Sequence, residues 1–349
     1  MKGKFALSVL ACAATAVIAL PATAMARTQT VWAGGTPKFQ ASLFTKHFAE
    51  ATDFFPHSVT IAQGDTIAWN GMSIGFHSID LAAKGTGDVP LIVPTGTAAS
   101  GLNDAAGNPF WFNGQPNLGF NPGLFAPSGG TSFDGSARVD SGLPFGPPGP
   151  FKVTFTKPGT YVYFCDVHYD MRGVIVVKAA GATTPSAAAD AAAISAQQTR
   201  DAKIAKALAK TKLKGNKISV GLAAKDSVEI LGMFPSTLHV KKGTTVSFSM
   251  ATRTGETHTV TFGPKSYLMP LAASFGGPAP VATAIYPSSP TGPLLLPGSH
   301  GNGFANAGAL DRDSSTPLPA LKKFKFTKPG KYQYFCLIHP FMHGTIIVK

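Results

Sequence analysis

One short pattern occurs twice in this chain, and it constrains the fold more than anything else in the sequence. Residues 163–173 and residues 334–344 both read Tyr-Phe-Cys-x-x-His-x-x-Met-x-Gly. Each is followed by a β-branched run, Val-Ile-Val-Val at 174–177 and Thr-Ile-Ile-Val at 345–348. A thiolate (Cys165, Cys336), an imidazole (His168, His339) and a thioether (Met171, Met342) therefore sit within seven residues, on a loop that leaves one strand and enters the next. Thiolate and thioether are soft donors that suit a soft metal. Each loop lacks a second imidazole, so each must borrow a histidine from elsewhere in its own unit.

The rest of the chain repeats around these loops. Residues 55–69 match residues 234–248 position for position, at an offset of 179. Each stretch alternates apolar and polar residues on both sides of a glycine, which predicts two strands joined by a tight turn. The tetrapeptide holding His77 answers the one holding His258 at an offset of 181, and the two metal loops match at 171. Phe-Thr-Lys-Pro-Gly precedes both loops, at 155–159 and 326–330. With 349 residues, about two domains are expected. The repeat places them at 28–178 and 215–349, joined by a linker over 179–214. The 38 glycines and 28 prolines fit many strands and turns, so the expected class is all-β.

Residues 1–26 read as a secretory signal. Lys2 and Lys4 form the basic start, an apolar run follows, and Ala-Met-Ala at 24–26 is a cleavage site. No other stretch is apolar for the roughly 20 residues that a membrane span needs. Of three cysteines, Cys12 leaves with the signal. Cys165 and Cys336 would remain in an oxidising compartment, where a disulfide between them is the alternative to metal binding. Their identical contexts argue for a private partner each. The formal charge is +13, and removing Lys2 and Lys4 with the signal leaves +11. Six lysines crowd residues 203–217, which reads as a solvated basic face or a surface that steers acidic partners. Nothing resembles a nucleic-acid fold.

Long Gly/Pro/Ser/Asn-rich inserts, 80–150 and 261–321, lie between the upstream histidine and the cysteine. Loops of this length are uncommon without a function or a packing role. Phe110, Trp111, Phe112, Phe120 and Phe125 give the first insert enough apolar surface to fold back on a domain. Phe133, Val139 and Asp140 answer Phe304, Leu310 and Asp311 at an offset of 171, which suggests that the inserts were duplicated too. The Ala-rich segment from Ser186 to Leu213 predicts a helix with Ser186 as N-cap, Gly215 as stop, and a stripe of Ile194, Ile204 and Leu208.

The expected ligand sets are His77, Cys165, His168 and Met171 in the first unit, and His258, Cys336, His339 and Met342 in the second. Two imidazoles and a thiolate in a plane, with a weak axial Met, are the blue-copper pattern. Their ring N–H groups need acceptors that the pattern does not identify. His47, His57, His239, His300 and His343 lack a matched histidine and read as ordinary residues.

This doubled Cys-x-x-His-x-x-Met loop resembles those of the blue (type 1) copper cupredoxin family, of amicyanin and plastocyanin type. The resemblance covers about 200 residues, the two β cores. It implies two tandem Greek-key β-sandwiches, one copper per unit, and electron transfer through the ring edges of His168 and His339. Asp166 and Asp170 put acid beside the first site. Leu337, Ile338, Pro340 and Phe341 make the second apolar, so different potentials and partners are expected.

Three functions follow. The first is a periplasmic or secreted electron carrier with two type 1 coppers and redox-protein partners, and it fits best. A copper-dependent oxidase or nitrite reductase-like enzyme would need His-x-His pairs or further matched histidines, which are missing. A copper scavenging or storage protein would multiply Met and Cys, and Met totals only 8.

Overall fold

The computed structural model describes residues 26–71, 75–143, 149–225, 227–250, 255–313, 316 and 318–349. The expected signal therefore lies outside the described residues, save for its last residue. The chain is mostly strand, in the class expected, with a few helices added.

In the first half two five-stranded sheets face each other. One runs Phe54–Phe55, Thr28–Ala33, Thr66–Gly71, Phe151–Phe155, Ser132–Phe133. The other runs Val139–Asp140, Asp80–Leu81, Gly159–Phe164, Arg172–Lys178, Ser58–Ala62. Val31, Ile67, Trp69 and Val153 from one sheet meet Val59, Ile61, Tyr163 and Ile175 from the other in a single apolar core. Burying alternate residues is what the period-2 pattern of these strands demands. Ser58–Ala62 and Thr66–Gly71 are joined as expected, but they lie in different sheets: the chain turns over the sandwich edge. Gly64 takes a φ of 93°, open to glycine without strain. The Asp65 carboxylate accepts the Ala62 and Arg27 backbone N–H groups at 2.8 Å each, holding that edge.

The second half repeats this plan. Leu294–Leu296, Leu321–Phe326, Thr245–Met250, Lys217–Ala223 and Val228–Phe234 form one sheet in that order. Thr237–Val240, His343–Val348, Gly330–Phe335, His258–Phe262 and Ala305–Leu310 form the other. The first of these has a sixth strand at its edge, Ala49–Ala51, which comes from the first half and pairs antiparallel with Val228–Phe234. The halves thus share a sheet.

Helix α1 (Pro37–His47) leads into that exchanged strand, and helix α2 (Ala187–Leu208) connects the halves. The Ser186 hydroxyl caps α2 by accepting the Ala189 N–H at 3.2 Å. The helix ends at Leu208, short of the expected Leu213. Its last fully buried residue is Ala205, and the lysines beyond it are exposed with nothing to pack against. Ile194, Ile204, Ala205 and Leu208 pack on Leu43 of α1 and on Val228 and Ile230 of the shared sheet. The lysines of residues 203–217 all face solvent.

The inserts are not copies. The first contains a hairpin, Ile92–Ala98 with Pro116–Phe120. The second contains helices α3 (Lys265–Ala273) and α4 (Ala282–Ile285). The match at offset 171 does not survive in three dimensions. Phe133 pairs beside Phe155, but beside the equivalent Phe326 stands Leu296. Val139 lies opposite Leu81, whereas Leu310 lies opposite His258. A few scattered apolar residues in Gly/Pro-rich sequence recur easily without a shared register. Each insert lends strands to its own half, and the remaining parts pack on each other across the junction. Phe110 and Phe112 sit among Leu268, Leu271, Ala284 and Phe304. The Trp111 indole N–H donates to the Pro287 carbonyl at 2.7 Å.

Candidate metal centres

Both metal loops are built the same way. Strand Gly159–Phe164 delivers Cys165, and strand Arg172–Lys178 takes the chain back, with Phe164 opposite Arg172. The loop closes when the Cys165 N–H donates to the Met171 carbonyl (3.0 Å) and the Met171 N–H to the His168 carbonyl (3.0 Å). The second loop repeats these bonds from Cys336 to Met342 (2.9 Å) and from Met342 to His339 (2.8 Å). Residue spacing thus fixes which side chains turn inward.

In the first site Nδ1 of His77 lies 3.1 Å from Nδ1 of His168, and these atoms lie 3.7 and 3.4 Å from the Cys165 sulfur. In the second, Nδ1 of His258 lies 3.2 Å from Nδ1 of His339, which is 3.9 Å from the Cys336 sulfur. The three ligand atoms of each set all fall within 4.8 Å of one another. A trigonal centre with bonds of about 2.0 Å to nitrogen and 2.3 Å to sulfur separates its donors by about 3.5–3.8 Å. Both clusters fit a metal of that size. Met171 and Met342 are buried in the adjoining cores beside their cysteines. The Ser78 and Thr259 amides point at the two sulfurs, at 3.5 and 3.3 Å. Burial pushes the Cys336 thiol up, but hydrogen bonds and charge from His258 and His339 outweigh it and hold the thiol well below its ordinary value. Both cysteines are free thiols, so the disulfide alternative is not formed. Among the described residues, none of the five unmatched histidines joins either cluster.

The sequence reading missed the partners of the outer ring nitrogens. The chain has only three glutamates, Glu50, Glu229 and Glu256. All three are buried between the two clusters. Nε2 of His258 lies 3.1 Å from Glu229 Oε1, and Nε2 of His77 lies 3.5 Å from Glu50 Oε1. Glu50 and Glu229 face each other as register partners on the exchanged strand and its neighbour. Glu256 serves both last histidines: Oε1 is 3.2 Å from His168 Nε2, and Oε2 is 3.0 Å from His339 Nε2. Burial raises Glu256, and the charges and hydrogen bonds of His339 and His168 more than reverse this, so it stays a carboxylate. Burial, then the nearby charge of Glu256, pushes Glu50 well above the usual range. Two signals in the sequence pointed here: the scarcity of glutamate, and the offset of 179 that relates Glu50 to Glu229.

The surroundings differ from expectation. The His168 side chain is 1% exposed and His339 is 21% exposed, so the first ring edge faces Glu256 rather than solvent. Asp166 is turned inside, where it accepts the Ser78 hydroxyl (2.8 Å) and the Val89 N–H (3.2 Å). Phe341 beside the second site packs on Phe44 and Phe48, at ring separations of 5.6 and 6.2 Å. Next to Glu256 lies a cavity of about 430 Å³, with Glu50, His168 and His339 on its polar wall and Phe76, Phe120 and Phe275 among its apolar lining.

No protein-family model matches this chain, and no curated protein does. Among solved structures it is similar to a reduced Cu(I) form of an amicyanin variant, at 20% identity over 41% of this chain and 89% of that one, with a TM-score of 0.22. It is also similar to the Cu(I) form of a second amicyanin variant, at 19% identity with the same coverage and TM-score. Oxidized plastocyanin from Dryopteris crassirhizoma is similar at 20% identity, over 38% of this chain and 99% of that one, with a TM-score of 0.22.

Proposed function

We propose that this chain is an electron carrier of the periplasm or cell exterior, made of two cupredoxin-like units (28–178 and 215–349) joined through 179–214, with one type 1 copper in each. His77, Cys165 and His168 would hold the first, with Met171 as weak axial donor. His258, Cys336 and His339 would hold the second, with Met342. The bound metal supplies reversible one-electron chemistry. The protein's part is to fix the donors: the loop bonds set the cysteine and last histidine, the glutamates aim the rings, and apolar cores exclude water. The observation that carries this reading is the same convergence of two Nδ1 atoms on one buried sulfur, formed twice. Redox proteins are the proposed partners, with the part-exposed His339 as the more open contact.

Copper loading tests it. The expected result is two coppers per chain and the intense blue of a thiolate-to-Cu(II) transition, with Cys165→Ala and Cys336→Ala each removing part of the colour. A colourless copper protein overturns the reading. A second reading, an oxidoreductase acting on a small molecule, is favoured by the cavity beside His168 and His339. Saturable binding of a small redox-active molecule there, lost when Phe120→Trp fills the space, would favour it over the carrier.

A further inference from the structure

We infer that Glu256 is a shared positioning residue that couples the two metal centres, so that filling one changes the affinity of the other. This rests on the copper reading only in taking the two His/Cys clusters as metal sites.

The geometry is specific. One carboxylate meets two last histidines, one oxygen each, at 3.2 and 3.0 Å. A metal on Nδ1 requires the ring proton on Nε2, and the Nε2–H must then donate to an acceptor. Here both rings face the same carboxylate: His168 hydrogen-bonds Oε1, and His339 makes an ion-pair contact with Oε2. Ordering His168 on a metal therefore fixes the carboxylate rotamer that His339 needs, and the converse holds equally. Rotamer freedom lost in the first event need not be lost again in the second, which makes the coupling positive.

The backbone that carries Glu256 is held by both halves. The Gly255 and Glu256 N–H groups donate to Glu229 Oε2 at 2.7 and 3.3 Å, and the other oxygen of Glu229 serves His258. The Tyr169 N–H of the first metal loop donates to the Gly255 carbonyl at 2.9 Å. A side chain at Gly255 would press on that same loop, with a Cβ 3.1 Å from the Tyr169 oxygen.

The local pseudo-symmetry explains why there is one bridge and not two. Glu50 and Glu229 occupy equivalent places: Glu229 hydrogen-bonds His258, and Glu50 lies 3.5 Å from His77 Nε2. The repeat offset of 181 puts Gly75 where the second half has Glu256. A Cβ at Gly75 would lie 2.0 Å from Glu50 Oε1, so no side chain fits there while Glu50 holds its place. A single carboxylate occupies the junction and reaches both ways.

The test is chelator competition with Cu(I) on the full chain and on C165A, C336A, E256A and the E256A/C165A and E256A/C336A double variants. The expected result is that removing either centre weakens the other by at least fivefold, within the range of about 5–150-fold usual for coupled sites. In the E256A background that dependence disappears, and both centres lose roughly 10–100-fold in affinity. A second readout needs no metal activity. Nitrogen NMR of the metal-free chain should show the Nε2–H signals of both His168 and His339 move in E256A. E256Q keeps the packing but offers one carbonyl oxygen and one amide, so it should impair one centre far more than the other; it decides the matter if E256A does not fold. Affinities at each centre that ignore the state of the other, or an E256Q variant with both centres unchanged, overturn the inference. Blue centres without coupling would defeat only this inference. Coupled binding without blue colour would defeat only the electron-carrier reading.

Discussion

His258 and Glu229 are both fully buried, with the ring Nε2 3.1 Å from the carboxylate. Replacing Glu229 by Gln keeps the shape but removes the charge that anchors this ring and the Gly255 and Glu256 amides. The expected outcome is a 10–100-fold loss of affinity at the second centre, measured by chelator competition. The residues of the two clusters were readable in sequence because Cys, His and Met are scarce and recur at fixed spacing. Their carboxylate partners were not, because each reaches its histidine only after distant strands pair. Asp53 is another buried carboxylate, outside both clusters. Its carboxylate accepts the Phe54 N–H at 2.7 Å and a Gln197 amide N–H at 2.8 Å, and lies 2.8 Å from His57 Nδ1. Burial raises its pKa from 3.8 to about 6, against the lowering effect of His57. Between these values the folded form keeps a proton that the unfolded chain has lost. The contribution to stability is therefore full below pH 3.8 and is lost as pH rises through about 6. Relative to Asp53→Asn, the metal-free native chain should lose on the order of 2–3 kcal/mol between pH 3.5 and 7 in urea titrations. A difference that is flat or grows with pH contradicts this.

Among the elements, the exchanged strand Ala49–Ala51 joins the halves through one sheet, and it is only three residues long. Gln40 of α1 pins it from the side: its amide nitrogen donates to the Ala49 carbonyl (3.3 Å) and its oxygen accepts the Ala51 N–H (3.0 Å). All of these atoms are buried, so Gln40→Ala leaves a backbone donor and acceptor without their partner. The expected cost is about 2–3 kcal/mol in unfolding free energy. Glu50 sits in the middle of this strand, so the same variant should weaken metal binding at the first centre more than at the second. Nothing in residues 49–51 announces a strand: the sequence Ala-Glu-Ala has low β propensity. The strand exists because Val228–Phe234 offers an edge there. By contrast, strands such as Thr245–Met250 were legible from their alternation, and Ser186 was legible as a cap.

At the scale of the molecule, the two inserts decide whether the halves act as one body around Glu256. Their composition promised only that they would pack, and the surface that Phe110 and Phe112 pack on belongs to the other half, which no local pattern encodes. Phe112 is fully buried at their contact, stacked 4.8 Å from Phe110 and 5.6 Å from Tyr286. Phe112→Ala should cost about 3–5 kcal/mol, as large-to-small changes in a packed core do. Phe125 lies in the same insert but is 48% exposed, and Phe125→Ala should stay within about 0.5 kcal/mol. The comparison matters because a flexible flap and an interlocked insert predict different results. If the insert is interlocked, Phe112→Ala admits protease into residues 92–120 at concentrations that leave the native chain and Phe125→Ala intact. It also loosens the cavity wall beside His168, so that a small external reductant reaches the first centre faster. Equal protease sensitivity in all three proteins would mean that the inserts hold the halves together far less than their packing implies.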